Sequence, residues 1–340
     1  MSSTRWLGLL GVAAGAAALG ALAPRTGQQM SSGAERKATS GTSYEISHGS
    51  SLRPAVAAHI EAAHGFNHAS AWLALSVLAD SAMEHYRANF DNRAMFAPPL
   101  VAGLTLAAGL HGRADRREVS HDVRHAIYLG AALTGLAGTA FHAYNIGKRP
   151  GGFSAQNLMR AAPIGAPIAL LLAGSLGATS ELLRNEPAHD PRLFGMPAGK
   201  ALALLASAGL IGTFGEAALL HFRGAYQHKA MYAPVTLPPL AASLLAGAAL
   251  SASRPHWLAR LGMRMTAALG WIGVCFHARG IARRQGGWRN WTQNLFAGPP
   301  LPAPPSFSAL AIAGLAALDL LESEIPKERS HDARHPLSRL

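Results

Sequence analysis

The chain has 340 residues, 49% of them apolar and only 14% charged, with 30 Lys/Arg against 18 Asp/Glu and a formal charge of +12. No basic helix or aromatic RNA-binding motif accompanies that charge, which sets nucleic acid aside. The single cysteine, Cys275, excludes a disulfide framework, a Cys-rich zinc site and an attached c-type haem, which needs C-x-x-C-H.

In chain order, a short apolar run over 6–23 follows Arg5 and reads as a signal peptide or signal anchor (1–23). Residues 24–53 are rich in Ser, Gly, Thr and Gln and read as a flexible linker. Eight apolar runs then follow: 66–84, 95–112, 125–142, 163–182, 200–220, 233–251, 262–278 and 303–321. Each approaches the roughly 20 residues that cross a bilayer. They are rich in Ala, Gly and Leu and mostly lack the charged stripe of a soluble solenoid helix. Small residues let membrane helices pack closely. A polar tail runs over 325–340.

The second half of the chain repeats the first. His85-Tyr86-Arg87 through Met95-Phe96-Ala97-Pro98 returns as His221-Phe222-Arg223 through Met231-Tyr232-Ala233-Pro234, at an offset of 136. Phe141-His142-Ala143 returns as Phe276-His277-Ala278 at an offset of 135. The expected fold is therefore an all-α, polytopic integral membrane protein. Its eight transmembrane helices form two parallel four-helix repeats, over 54–185 and 186–324. Four is even, so both repeats enter from one side. His85, His142, His221 and His277 should then end odd-numbered helices at one membrane face. The loops of that face carry eleven Lys/Arg and the three opposite loops ten, too even a split to orient the chain. With Arg5 held inside, the histidine face becomes cytoplasmic.

The histidine quartet is the strongest chemical signal. Imidazole is an axial haem ligand and a common metal ligand. His85 with His142, and His221 with His277, meet the equal-depth condition for a haem b held between two helices. Arg87, Arg223 and Arg279 each lie two residues past a histidine and suit the propionates. The bland alternative is an interfacial histidine bonded to a backbone carbonyl at a helix end. His68 and His125 each precede a quartet histidine by 17 residues, but the angular phase opposes a second, stacked haem.

Asp80 and Glu216 match, each five residues before its histidine. Five residues turn a helix by about 140°, so neither acid shares a face with its histidine. Acids at that depth suit proton relay or a quinone site. Glu181 and Asp319 form a second matched pair. The Gly-Gly pairs 151–152 and 286–287 permit tight turns. Those loops should bring Gln156, Asn157, Gln293 and Asn294 close to the histidines. Cys275 reads as a packed core residue.

These readings lead to a multi-pass electron-transfer protein of b-type cytochrome character in a bacterial-type inner (cytoplasmic) membrane. The bilayer, a quinone and a redox protein would be its partners. The alternatives are a transporter or solute-binding protein with a pseudosymmetric Arg/His/Gln/Asn pocket, a metal-dependent membrane enzyme using all four histidines together, and a non-catalytic subunit anchoring a partner.

Overall fold

The computed structural model of the chain describes residues 57–251 and 256–324. The leader at 1–23, the linker at 24–53 and the tail at 325–340 lie outside the described residues. Within them the fold is helical apart from one small hairpin. The helices are α1 (Ala58–Arg87), α2 (Ala97–Ala114), α3 (Asp122–Gly147), a short α4 (Ala155–Arg160), α5 (Gly165–Arg184), α6 (Ala198–Arg223), α7 (Ala233–Leu250), α8 (Trp257–Ala282), a short α9 (Trp291–Ala297) and α10 (Pro305–Glu324). All eight apolar runs fall on the long helices.

Six helices, α2, α3, α5, α6, α7 and α10, are long and apolar enough to cross a bilayer. The chain is a helical, multi-pass membrane protein. α1 and α8 are 30 and 26 residues long but more polar. α1 carries Glu61, Asp80, Glu84 and several histidines, and α8 carries Arg260, Arg264 and Arg279. Outward-facing Leu100, Leu133, Leu136 and Leu240 are each more than half exposed, as lipid-facing leucines are.

Local sequence sets the breaks between helices. After α1, Asn89 and Phe90 adopt left-handed backbone, and so do Ala225 and Tyr226 after α6. The Asn92 side chain then accepts from the Ala94 N–H, and His228 Nδ1 accepts from the Ala230 N–H at the matching place. Each cap opens a short 3₁₀ turn, Arg93–Phe96 or Lys229–Tyr232, leading into α2 or α7. Pro98 and Pro234 sit in the first helical turn, where a missing N–H is not needed. Gly151, Gly152, Gly286 and Gly287 all have positive φ, so both Gly-Gly pairs form the tight turns their sequence suggests.

In the first half α1 and α3 each pack on α2 and α5 and so lie diagonally. In the second half α6 and α8 each pack on α7 and α10 and lie diagonally too. Glycines set the spacing. A Cβ on Gly135 of α3 would meet the backbone of Leu171 and Pro167, and one on Gly270 of α8 would meet Pro304 and Ser308. In lipid, such close approach supplies dispersion contacts that no apolar/water contrast provides. The main core runs where α1 packs on α5 and α10, with Phe66, Leu73, Leu176, Leu202 and Leu310 buried.

At the end opposite the histidines, a buried ionic cluster closes the first half. Arg124 donates to both oxygens of Glu181, at 2.8 and 2.9 Å, and to Asp115 at 2.6 Å. Arg184 donates to the Arg117 and Gly112 carbonyls. In the second half Arg260 reaches Asp319 and Glu322, but at a much more exposed site.

Candidate functional site

All four repeated histidines lie at the C-terminal ends of α1, α3, α6 and α8. Contacts between the intervening loops place these ends together. Tyr86 stacks on Phe296, with centroids 5.4 Å apart. Arg223 donates to the Met159 carbonyl at 3.0 Å, and the His228 ring meets Phe276.

Each histidine is tied through the same ring nitrogen. Nδ1 lies 2.6 Å from the Met95 carbonyl in His85, 2.7 Å from Pro163 in His142, and 2.7 Å from Pro300 in His277. These three carbonyls all precede the next long helix. His221 departs from the pattern and bonds the Ala217 carbonyl of its own helix, at 2.7 Å. A carbonyl only accepts, so in each ring Nδ1 carries the hydrogen. In the neutral ring Nε2 is then the free lone pair, and no hydrogen bond engages it among the described residues. A carbonyl on Nδ1 is the usual device for orienting a ligand imidazole.

The four rings do not converge on one point. His85 and His142 are close enough to feel each other's charge, and so are His277 and His221. Among the described residues no group of three or more His, Cys, Asp or Glu side chains could hold a metal ion. His85 with His142, and His221 with His277, stand on the diagonal helices of their halves.

Aromatic rings flank the first histidine of each pair, His85 and His221. Phe90 sits edge-on to His85 at 6.2 Å and stacks on Phe96 at 4.2 Å. Tyr226 lies 6.4 Å from His221 and stacks on Tyr232 at 4.7 Å. Phe90 and Tyr226 both hold positive φ, a strained conformation that clusters at functional sites. Met83, Tyr86, Phe90, Trp291 and Phe296 line an open apolar groove beside His85.

Asp80 and Glu216 come together across the two halves, near enough to interact. The Gly165 N–H, at the start of α5, donates to the Glu216 carboxylate, and a Cβ on Gly165 would overlap that carboxylate. Glu84, which sequence reasoning missed, is a third acid acting on Asp80. Its own partner is Arg87, at 2.8 Å. Of the three arginines expected near the site, Arg87 and Arg223 therefore have protein partners, and Arg279 is exposed.

Several expectations need correction. Asn157 does not reach a histidine: its amide donates to the Pro150 and Gly152 carbonyls and holds the Gly-Gly turn. Asn294 does the same with Gln285 and Gly287. Gln156 and Gln293 are exposed. The stacked haem at His68 that the angular phase opposed is opposed here as well, because His68 Nε2 accepts from Trp72 Nε1 at 2.8 Å. Cys275 is exposed, not packed in the core. It sits two residues past Gly273, about 200° round the helix from the face that packs on α10.

Comparison with known protein families, curated proteins and solved structures found no match.

Proposed function

We propose that this chain is a membrane-embedded electron-transfer protein of b-type cytochrome character. In this reading all eight long helices span an inner (cytoplasmic) membrane of bacterial type, as two parallel four-helix repeats. His85 and His142 would hold one haem b, and His221 and His277 a second. Arg87, Arg223 and Arg279 lie at the level of the propionates.

One observation carries this reading. The two imidazole pairs stand on the diagonal helices of their halves, every Nδ1 is anchored to a carbonyl, and among the described residues no hydrogen bond engages any Nε2. A bis-histidine haem asks for that donor set and no third ligand. The carbonyl anchors alone would also suit a purely structural loop clasp. The pairing across the diagonal is what a clasp does not require, since each clasp is complete within one helix–loop unit.

The aromatic groove beside His85 suits the apolar ring of a quinone. Asp80 and Glu216 would give and take the protons that accompany quinone chemistry, since acids at membrane depth suit proton relay. Bound haem would supply the one-electron step. The chain's own residues orient it, shield it from water and move the protons.

The test is a reduced-minus-oxidised visible spectrum of the full chain, expressed with haem available and purified in mild detergent. A sharp α-band that weakens in His142→Ala and in His277→Ala is expected. A colourless wild-type protein sinks the proposal.

A further inference from the structure

Charge and aromatic side chains are divided unevenly between the two ends of the bundle. The histidine end comprises 84–96, 141–164, 221–232 and 276–304. It carries eleven Lys/Arg and only two acids, Glu84 and Asp91. The described part of the opposite end comprises 57–61, 111–125, 181–200, 251, 256–264 and 319–324. It carries nine Lys/Arg and ten Asp/Glu. Counting bases alone hides this difference, because the acids all but cancel one end and leave the other bare.

The bases also differ in what they touch. At the opposite end Arg124 and Arg260 are held by carboxylates and Arg184 by carbonyls. At the histidine end Arg93, Arg149, Arg160, Arg283 and Arg289 are all exposed. Aromatic rings follow the same division. Among the described residues, ten exposed Phe, Tyr and Trp side chains lie at the histidine end, and only Phe194 and Trp257 at the other. They alternate with the cations. The Lys148 ammonium lies 5.1 Å from the centre of the Tyr144 ring. Arg289 falls between the exposed Trp288 and Trp291, and Arg223 follows the exposed Phe222.

We propose that the histidine end is a binding collar for anionic phospholipid headgroups, and that the opposite end is not. Tyr and Trp rings, here Tyr86, Tyr144, Tyr232, Trp288 and Trp291, settle at headgroup depth, and flexible Lys and Arg side chains extend from the same level to lipid phosphates. A basic surface alone would also attract an acidic soluble protein. The exposed aromatics gathered at the helix ends favour the bilayer interface instead. This inference is independent of haem.

The full chain would be reconstituted in phosphatidylcholine bilayers containing a minor fraction of phosphatidylglycerol. Lipids retained after detergent extraction would be counted by native mass spectrometry. Phosphatidylglycerol should be enriched several-fold over its bulk share, and the enrichment should fall with added salt. The variant combining Arg93→Gln, Arg149→Gln, Arg283→Gln and Arg289→Gln should lose most of it. One combining Arg113→Gln, Arg116→Gln, Arg192→Gln and Lys200→Gln should keep it. Bulk lipid ratios around the wild-type chain overturn the proposal without reference to any variant. Equal losses in the two variants overturn it too, as does capture of acidic soluble proteins with no lipid preference.

Discussion

Arg124 and Arg260 open the third helix of their respective halves, and both reach acids at the end of the last helix. Burial makes their consequences differ. Arg124 and Glu181 are fully buried, and Arg124→Ala leaves Glu181 only the His121 N–H and the more distant Arg184, so it should destabilise the fold by about 1.5–3 kcal/mol. Arg260 faces Asp319 at 65% side-chain exposure, so Arg260→Ala should cost about 1 kcal/mol or less. Thermal unfolding of both variants in one detergent checks the contrast, and equal shifts would contradict it. Burial alone would raise the Asp115 carboxyl, but hydrogen bonds from Arg117 and Arg124 outweigh it and hold the carboxyl well below the usual carboxylate range. A depressed value means the contribution is complete above the unfolded pKa and fades as pH falls through the folded one. The histidines and the Asp80–Glu216 match were legible in the sequence because duplication kept polar groups where lipid penalises them. Glu84 and Gly165 were not, since nothing in the second half marks the first and only the fold brings Glu216 against the second. Asn157 and Asn294 were misread because spacing shows that a side chain is near a site, not which carbonyl it prefers.

At the scale of elements, the pattern of small residues explains how the histidine helices are held. His142 lies four residues after Gly138 and seven after Gly135, a single stripe facing α5. His277 follows Gly273 and Gly270 at the same spacing and faces α10. The glycines thus set both the depth and the direction of each ring. Gly135→Leu or Gly270→Leu should force the pair of helices apart and cost at least 1–3 kcal/mol, roughly the penalty of overpacking. Gly103, with open space around its Cα, should accept Ala with little effect. Comparative thermal stability decides, and a tolerated Gly135→Leu would refute the packing account. Helix positions were readable from apolar runs, with most C-terminal ends moved outward because polar last turns continue the helix beyond the apolar stretch. The diagonal placement of α1 and α3 was not readable, since it depends on which small-residue faces meet.

On the scale of the whole molecule, the account requires the two halves to run parallel. Loops 88–92 and 224–228 should share one side of the membrane, and 116–120 should lie on the other. In a Cys275→Ser background, Asp91→Cys and Gln227→Cys should react with an impermeant thiol reagent from the same side, and Glu118→Cys from the opposite one. Labelling of Asp91→Cys and Gln227→Cys from different sides would dissolve the pseudosymmetry. The matching 3₁₀ turns, caps and Gly-Gly turns were foreshadowed by sequence identity between the halves. The differing bond of His221, which turns to its own helix, was not, because one ring torsion leaves no trace in a repeat. The most direct measurement is the number of haems per chain in purified protein. Two are predicted for the wild type, one for His142→Ala, one for His277→Ala and none for the double variant. Protein that folds as a helical membrane bundle and carries no haem, or haem that survives the double variant, would contradict the account.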